Sequence, residues 1–200
     1  MEKRTRTISK FERKTNCNIL GKANSPCVKR TNKTRRKQPS YYGIINAEVK
    51  KLAIFYGNLR RGMMKNIFHQ AEKNKGGDIV EKIVNILESR LLTVVYRMRW
   101  AKNPLAARQL VSHCHIKVNG KVVNYASYMV KKGDVISLCE SMHNNVQVTE
   151  SINNNILVTP IHLEVSNDKF SGTFVSLPKI NEINYTFTPN YLSMVEVFSK

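Results

Sequence analysis

Between positions 103 and 124 the chain reads NPLAARQLVSHCHIKVNGKVVN, and within this run its pattern changes from helical to alternating. Asn103 followed by Pro104 is typical of a helix start, because an Asn side chain caps free N–H groups and proline fits the first helical position. From His115 onward, apolar and polar residues alternate around Asn119-Gly120, the dipeptide that most strongly indicates a type I′ hairpin. The run therefore predicts a short helix, through about residue 113, followed by a two-stranded hairpin.

The sequence before this run has a helical pattern. Apolar residues recur at spacings of three and four over 41–70 with a break at Gly57, which predicts two helices. A second apolar stripe covers 80–98 with the same period, and Asp78 stands where a capping carboxylate is favoured.

The sequence after the hairpin predicts short strands. A second strand pair is expected at 128–130 and 135–138, whereas 141–155, rich in Asn, Ser and Gln, predicts a loop or linker. Further short strands are predicted at 156–158, 162–165, 173–175 and 194–198. Helices followed by a small twisted sheet and C-terminal short strands make an α+β protein.

The charge of the chain points to a polyanionic partner. Among 200 residues, 33 are Lys or Arg and 14 are Asp or Glu, a net charge of +19, whereas a small soluble domain usually stays within about 8 charges of zero. Residues 1–40 carry 13 basic and 2 acidic side chains, and residues 141–200 carry 3 and 5. Nucleic acid is therefore the expected partner of the first half, and a free-standing metabolic enzyme is disfavoured.

Residues 1–40 have almost no apolar periodicity. They predict a basic, partly disordered extension that becomes ordered against nucleic-acid phosphates, with a solvated tail as the alternative. Its expected nucleic-acid-binding side chains are Lys29, Arg30, Arg35, Arg36 and Lys37.

Several other classes of protein are disfavoured. No run approaches the roughly 18 consecutive apolar residues of a membrane helix, and no secretory signal is visible, so we expect a soluble, unsecreted protein. Four scattered cysteines predict reduced thiols in an intracellular compartment. Cys17 with Cys27, and the run at 113–115, lack the further ligands of a structural zinc site. No glycine-rich phosphate loop is present, so neither metal nor cofactor is expected.

The best candidate site is a set of cations interleaved with hydrogen-bonding side chains between residues 90 and 132. Arg108 and Ser112 share a helical face, and His115 follows just past the helix end. Arginine guanidinium groups bind phosphates through paired hydrogen bonds, and this needs no catalytic residue. The alternative is that these residues form only the solvated polar face opposite the apolar stripe. The set comprises Arg90, Arg97, Arg99, Lys102, Arg108, Gln109, Ser112, His113, His115, Lys117, Asn119, Lys121, Tyr128, Lys131 and Lys132. Four side chains of the preceding helical region are added to it, namely Tyr41, Tyr42, Arg60 and Arg61.

Several motifs, in this order, resemble the ribosomal protein S4 family. The central ones match the RNA-binding domain after which the family is named, and the resemblance covers roughly residues 40–200. The motifs are SYYG at 40–43, FYG at 55–57, KG at 75–76, LESRL at 87–91, VVYRM at 94–98, AARQLVSH at 106–113, IKVNG at 116–120, SY at 127–128, KGDVI at 132–136, HLEV at 162–165, Gly172, LP at 177–178 and VEVFS at 195–199.

The resemblance implies a structural protein of the small ribosomal subunit, not an enzyme, that binds the 5′ domain of the rRNA early in assembly and lies near the mRNA entrance path. It implies a helical body at 41–88 and 141–200, into which an RNA-binding domain of two helices plus a small twisted sheet is inserted at 89–140. The implied partners are small-subunit rRNA and neighbouring ribosomal proteins at the mRNA entrance, without a membrane or a homo-oligomer.

Within the resemblance, a degraded N-terminal region and abundant Asn, Lys and Ile, together with motifs similar to alphaproteobacterial members, imply a mitochondrial version, placed in the matrix on the mitochondrial ribosome. The motifs at 88–98 are similar to alphaproteobacterial members, but KTRRKQ at 33–38 replaces the usual PGQHG run. Leu92 stands where Asp is usual. Cys114 stands where Gly is usual, which restricts the positive φ that this turn can adopt.

Two alternatives use the same domain. An RNA-modifying enzyme would employ it only for docking, yet the sixty residues after position 140 are too few for a pseudouridine synthase core. A free translation regulator that binds its own mRNA would present the same surface.

Overall fold

The computed structural model describes residues 2–15, 17–20, 39–74, 76–154 and 159–199. The described residues form two compact units. We call residues up to Phe68 together with those from Tyr185 the terminal unit, and residues from His69 to Asn184 the central unit.

The terminal unit is helical. It contains α1 (Glu2–Thr15), α2 (Tyr41–Phe55), the first part of α3 (Arg61–Lys73) and α8 (Leu192–Phe198), and α8 lies against α2. The sequence predicted α2 and α3, with the break at Gly57, and both are confirmed. Its core includes an aromatic cluster in which Phe55 contacts Tyr56, Tyr185 and Phe187 at ring-centroid distances of 5.1 to 5.8 Å.

The central unit contains the end of α3 and four further helices, α4 (Ile79–Glu88), α5 (Leu91–Arg97), α6 (Pro104–Ser112) and α7 (Val146–Asn154). Both predicted caps are confirmed. Asp78 accepts a hydrogen bond from the Val80 N–H at 3.1 Å, and Asn103 accepts one from the Ala106 N–H at 2.9 Å.

The sheet of the central unit is antiparallel. Its strands are β1 (Ile116–Val118), β2 (Lys121–Val122), β3 (Val135–Leu138), β4 (Leu163–Val165) and β5 (Ser171–Phe174), in the spatial order β2-β1-β3-β5-β4. Val118 pairs with Lys121 across a two-residue turn, and φ is 49° at Asn119 and 79° at Gly120. The predicted type I′ hairpin is therefore confirmed.

Gly172 marks a close approach within this unit. A Cβ atom there would lie 2.7 Å from the Glu164 carbonyl oxygen in β4 and 2.9 Å from Cε of Met98. A larger residue would have to displace the β4 backbone and the tip of the Met98 side chain, so only glycine fits without a shift.

Two predictions for the second half are wrong. Residues 141–155, predicted as a loop, contain a 3-10 turn at Glu140–Met142 and then α7. Residues 194–198, predicted as a strand from the alternation of valines, belong to α8. The reason is that Met194 and Phe198, four residues apart, are the buried pair, and this spacing fits a helix face.

Two further predictions need correction. The stripe over 80–98 forms two helices, because the chain turns at Ser89 and Arg90. The expected strand at 128–130 is reduced to a single bridge between Met129 and Arg90. The predicted strand at 156–158 lies outside the described residues.

Candidate nucleic-acid interface

The exposed side of α6 carries the densest group of predicted RNA-binding side chains. Burial of Leu105, Ala107 and Val111 anchors the helix and leaves the opposite face in solvent. That face and the turn after it present Arg108, Gln109, Ser112 and His113, all exposed.

The turn after α6 leads directly into the sheet. Cys114 adopts φ 63°, so the cysteine takes the left-handed conformation despite its Cβ, and its N–H donates to the Val111 carbonyl at 3.0 Å. The N–H of His115 donates to the Leu110 carbonyl at 3.1 Å. This compact turn brings the rings of His113 and His115 to a centroid distance of 6.1 Å.

The hairpin distributes its two lysines over different faces. In β1, Ile116 and Val118 are buried, and Lys117 is half-buried on the other face. Directly paired residues share a face, and Lys121 pairs with Val118. Lys117 and Lys121 therefore lie on opposite faces of the hairpin, and only one of them can extend a surface on a given side.

Asn119 has a structural position within the hairpin turn. Its Nδ2 donates to Oδ1 of Asp134 at 2.9 Å, and its Oδ1 accepts from the Val135 N–H at 2.9 Å. The other oxygen of Asp134 accepts from the Lys131 N–H at 2.8 Å. The amide thus connects the hairpin to the turn that carries the exposed Lys131 and Lys132.

Arg90 is the buried member of the set. It is 6% exposed and precedes α5, and its Nε has no hydrogen-bond partner among the described residues. Burial lowers the pKa of Arg90, and the charge of Arg108 lowers it further. Arg90 is therefore a buried cation whose charge is felt by that of Arg108, whereas Arg108 itself is exposed on α6.

Arg97 is a correction, since it is not available to RNA. Its Nη2 lies 2.7 Å from Oε1 of Glu88 and its Nε 3.1 Å from Oε2, and both side chains are fully buried. The remaining Nη1 donates to the Asn184 carbonyl at 2.7 Å. Every residue of α5 is buried, so a surface role was excluded by the position of this helix.

The other predicted members differ in exposure and in their interactions within their own unit. Arg99 is half-buried with φ 68°, Tyr128 is exposed, and Lys102 forms an exposed ion pair with Glu150. In the terminal unit, Tyr41, Tyr42, Arg60 and Arg61 are all exposed. The predicted contacts in the basic extension, Lys29, Arg30, Arg35, Arg36 and Lys37, lie outside the described residues.

Sequence reasoning missed two polar residues beside Tyr42. Asn46 and Lys50 follow it at intervals of four on α2, so the three side chains share one helical face. The spacing of four residues could have indicated this shared face from the sequence. The sequence prediction selected residues from clusters of charge and therefore did not include Asn46 and Lys50.

The described residues show neither a metal site nor a membrane helix. Within these ranges no three His, Cys, Asp or Glu side chains are grouped as metal ligands. Within the same ranges, no helix combines the length and apolar character needed to cross a membrane.

Comparison with known proteins identifies similar chains. The S4 domain family matches residues 89–136. Over its full length the chain is 34% identical to the small ribosomal subunit protein uS4 of Paramagnetospirillum magneticum, 35% identical to that of Acidiphilium cryptum and 36% identical to that of Paracoccus denitrificans. Each alignment also covers the whole of the relative.

Proposed function

The chain belongs to the uS4 family of small ribosomal subunit proteins, and on that premise we propose that it is a structural constituent of a mitochondrial small subunit. The relatives support a structural role in the ribosome with rRNA binding. The finer proposal is that the protein binds the 5′ domain of the rRNA early in assembly and lies near the mRNA entrance path.

The observation that carries rRNA binding is the group of exposed side chains on α6 and the turn after it. Arg108 supplies an exposed positive charge, and the exposed Gln109, Ser112 and His113 supply hydrogen-bonding groups on the same helix and its following turn. Such groups contact phosphates and 2′-hydroxyls of a folded RNA and recognise its shape. We therefore place the principal RNA contact in the region 89–140.

The charge gradient supports protein neighbours for the C-terminal part. Residues 141–200 carry 3 basic and 5 acidic side chains in a chain whose net charge is +19. This part is weakly attracted to RNA, so we propose that it contacts ribosomal proteins at the mRNA entrance and that the protein does not form a homo-oligomer.

The mitochondrial assignment rests on motifs at 88–98 that are similar to alphaproteobacterial members, on a degraded N-terminal region and on abundant Asn, Lys and Ile. The relatives named above are bacterial, so the assignment needs its own experiment. A tagged protein is expected to sediment with small subunits from purified mitochondria and to remain with them in moderate salt. Sedimentation only with cytosolic subunits would overturn the mitochondrial proposal.

The alternative of an RNA-modifying enzyme receives no support from these relatives, which are ribosomal proteins. Mass analysis of rRNA nucleosides after incubation with the protein separates the two: a new modified nucleoside would favour the enzyme. The alternative of a free regulator predicts that most of the protein sediments apart from small subunits.

The rRNA contact is tested by the double substitution Arg108→Ala and Lys117→Ala. Two charge-assisted contacts are lost, so the affinity for a 5′-domain rRNA fragment should fall by about 3 kcal/mol, roughly a hundredfold. The double substitution Lys169→Ala and Lys179→Ala removes the same charge from exposed positions outside the site and should have little effect. The affinities are measured by filter binding. An equal loss of rRNA affinity in both variants would show that the affinity depends only on the total charge and not on the proposed site.

A further inference from the structure

We propose that a cavity in the terminal unit receives one unpaired nucleotide of the bound RNA. The inference rests on the proposed function, because it assigns the RNA a second contact. The cavity has a volume of about 560 Å³ and lies among α2, the turn at 57–60, the start of α3 and the end of α8. This volume falls in the range of about 300 to 1,000 Å³ that is usual for small-ligand sites.

The charge of the lining favours an anion. Lys50, Arg60 and Arg61 line the cavity, and none of the described residues that line it carries a carboxylate. The acids of α2 and α8 have partners of their own: Glu48 binds Lys51 at 2.6 Å, and Glu196 accepts a hydrogen bond from Tyr41 at 3.2 Å.

Arg61 is held in place by uncharged groups. Its Nη1 donates to Oδ1 of Asn46 at 3.0 Å, and its Nη2 donates to the hydroxyl of Tyr42 at 3.2 Å. Its guanidinium carbon also lies 5.8 Å from the centre of the Phe198 ring. Among the described residues it forms no ion pair, so its orientation is fixed while its charge is left for a ligand.

The floor of the cavity is apolar. Val49, Ala53 and Met64 line it and are almost fully buried, and Leu59 and Val197 complete it. A free inorganic anion would gain nothing from this surface. A nucleotide would use both parts, because its base has an apolar face and its phosphate is anionic.

The chemistry matches the way proteins recognise single-stranded RNA. Unstacked bases are splayed out and packed on aromatic side chains or on arginine planes, while cations hold the backbone. Tyr42 and Arg61 supply such groups at the cavity, and Arg60 and Lys50 supply the cations. The occupant is therefore a nucleotide within RNA; a free mononucleotide would have the same chemistry, and the test separates the two.

The first arm of the test uses the double substitution Arg60→Gln and Arg61→Gln in the full-length protein. Affinity for the 5′-domain rRNA fragment should fall at least about tenfold. The matched control is Lys65→Gln with Lys73→Gln, because both lysines are exposed on α3 outside the cavity and the loss of charge is equal. Equal affinities of the two variants would overturn the inference. If Arg108→Ala with Lys117→Ala still weakens binding in that case, the proposed function stands without it.

The second arm maps the contact with rRNA containing 4-thiouridine. We expect an unpaired nucleotide to form photocrosslinks to peptides spanning 41–64 in the wild type and in the control Lys65→Gln with Lys73→Gln. These crosslinks should be lost in Arg60→Gln with Arg61→Gln. Crosslinks confined to 104–121 would overturn the inference. Adenosine monophosphate serves as the free-nucleotide probe: binding at the cavity that the rRNA fragment does not displace would assign the site to a free nucleotide and overturn the proposal.

Discussion

At the scale of single residues, environment separates side chains that are chemically identical. Arg97 and Arg108 were both predicted to contact RNA. Arg97 is fully buried against Glu88, whereas Arg108 is exposed on α6. The ion pair satisfies Arg97 within the protein, so only Arg108 retains a charge that RNA can neutralise.

A buried histidine makes stability depend on pH. His162 is fully buried, and its ring nitrogens have no hydrogen-bond partner among the described residues. Burial lowers its pKa below the ordinary value of 6.5; Glu88 and Glu182 act in the opposite direction, and Arg97 acts in the same one. The folded protein therefore keeps this ring neutral at a pH where the unfolded chain protonates it.

The free energy of unfolding should consequently fall as the pH is lowered from 6.5 towards the folded-state pKa of His162, by up to about 1.4 kcal/mol per pH unit. Well above pH 6.5 the ring is neutral in both states and contributes almost no pH dependence. Urea unfolding at pH 7.5, 6.5 and 5.5 measures the effect. The variant His162→Leu should show a smaller decrease, and an unchanged decrease would mean that other groups cause it.

At the scale of elements, a buried ion pair joins the two halves of a sequence stripe that looked continuous. Glu88 ends α4 and Arg97 ends α5, and between them the Thr93 hydroxyl donates to the Leu87 carbonyl at 2.8 Å. The chain turns at Arg90, whose backbone bridges to Met129. Two short helices therefore pack back on each other where periodicity alone indicated one long helix.

Breaking this pair should destabilise the central unit strongly. Arg97→Met leaves the Glu88 carboxylate buried without its partner, which costs about 3 to 5 kcal/mol in comparable cases. The double substitution Glu88→Leu with Arg97→Met removes both charges and should be less destabilising than the single one. Urea unfolding of the wild type, the single variant and the double variant measures these differences in stability. A double variant less stable than the single variant would contradict the prediction.

At the scale of the whole molecule, binding to RNA should depend steeply on salt. A net charge of +19 resides mostly in the first half of the chain, where phosphates displace counterions. With about six to ten phosphate contacts, raising the salt from 50 to 200 mM should weaken rRNA binding by about 10³ to 10⁵. Filter binding at four salt concentrations gives the slope, and Arg108→Ala with Lys117→Ala should reduce it. An affinity that hardly changes with salt would contradict an electrostatic interface.

Local signals were sufficient for several parts of the fold and of the site. The caps at Asp78 and Asn103 and the hairpin turn at Asn119-Gly120 depend on neighbouring residues, and all three are confirmed. The exposed cation and donors on α6 followed from helical spacing in the same way. The errors at 141–155 and 194–198 arose where short, weakly patterned segments take their structure from what they pack against.

The sequence by itself therefore determined the α+β class, the helix starts, the hairpin and the excess of positive charge, because each depends on composition or on contacts within a few residues. Only the tertiary structure decided that Arg97 is buried against Glu88, that Lys117 and Lys121 lie on opposite faces, and that Tyr42, Arg61 and Phe198 surround one cavity. These arrangements join residues far apart in the chain or set by strand register, and burial then determines which charges remain available to a ligand.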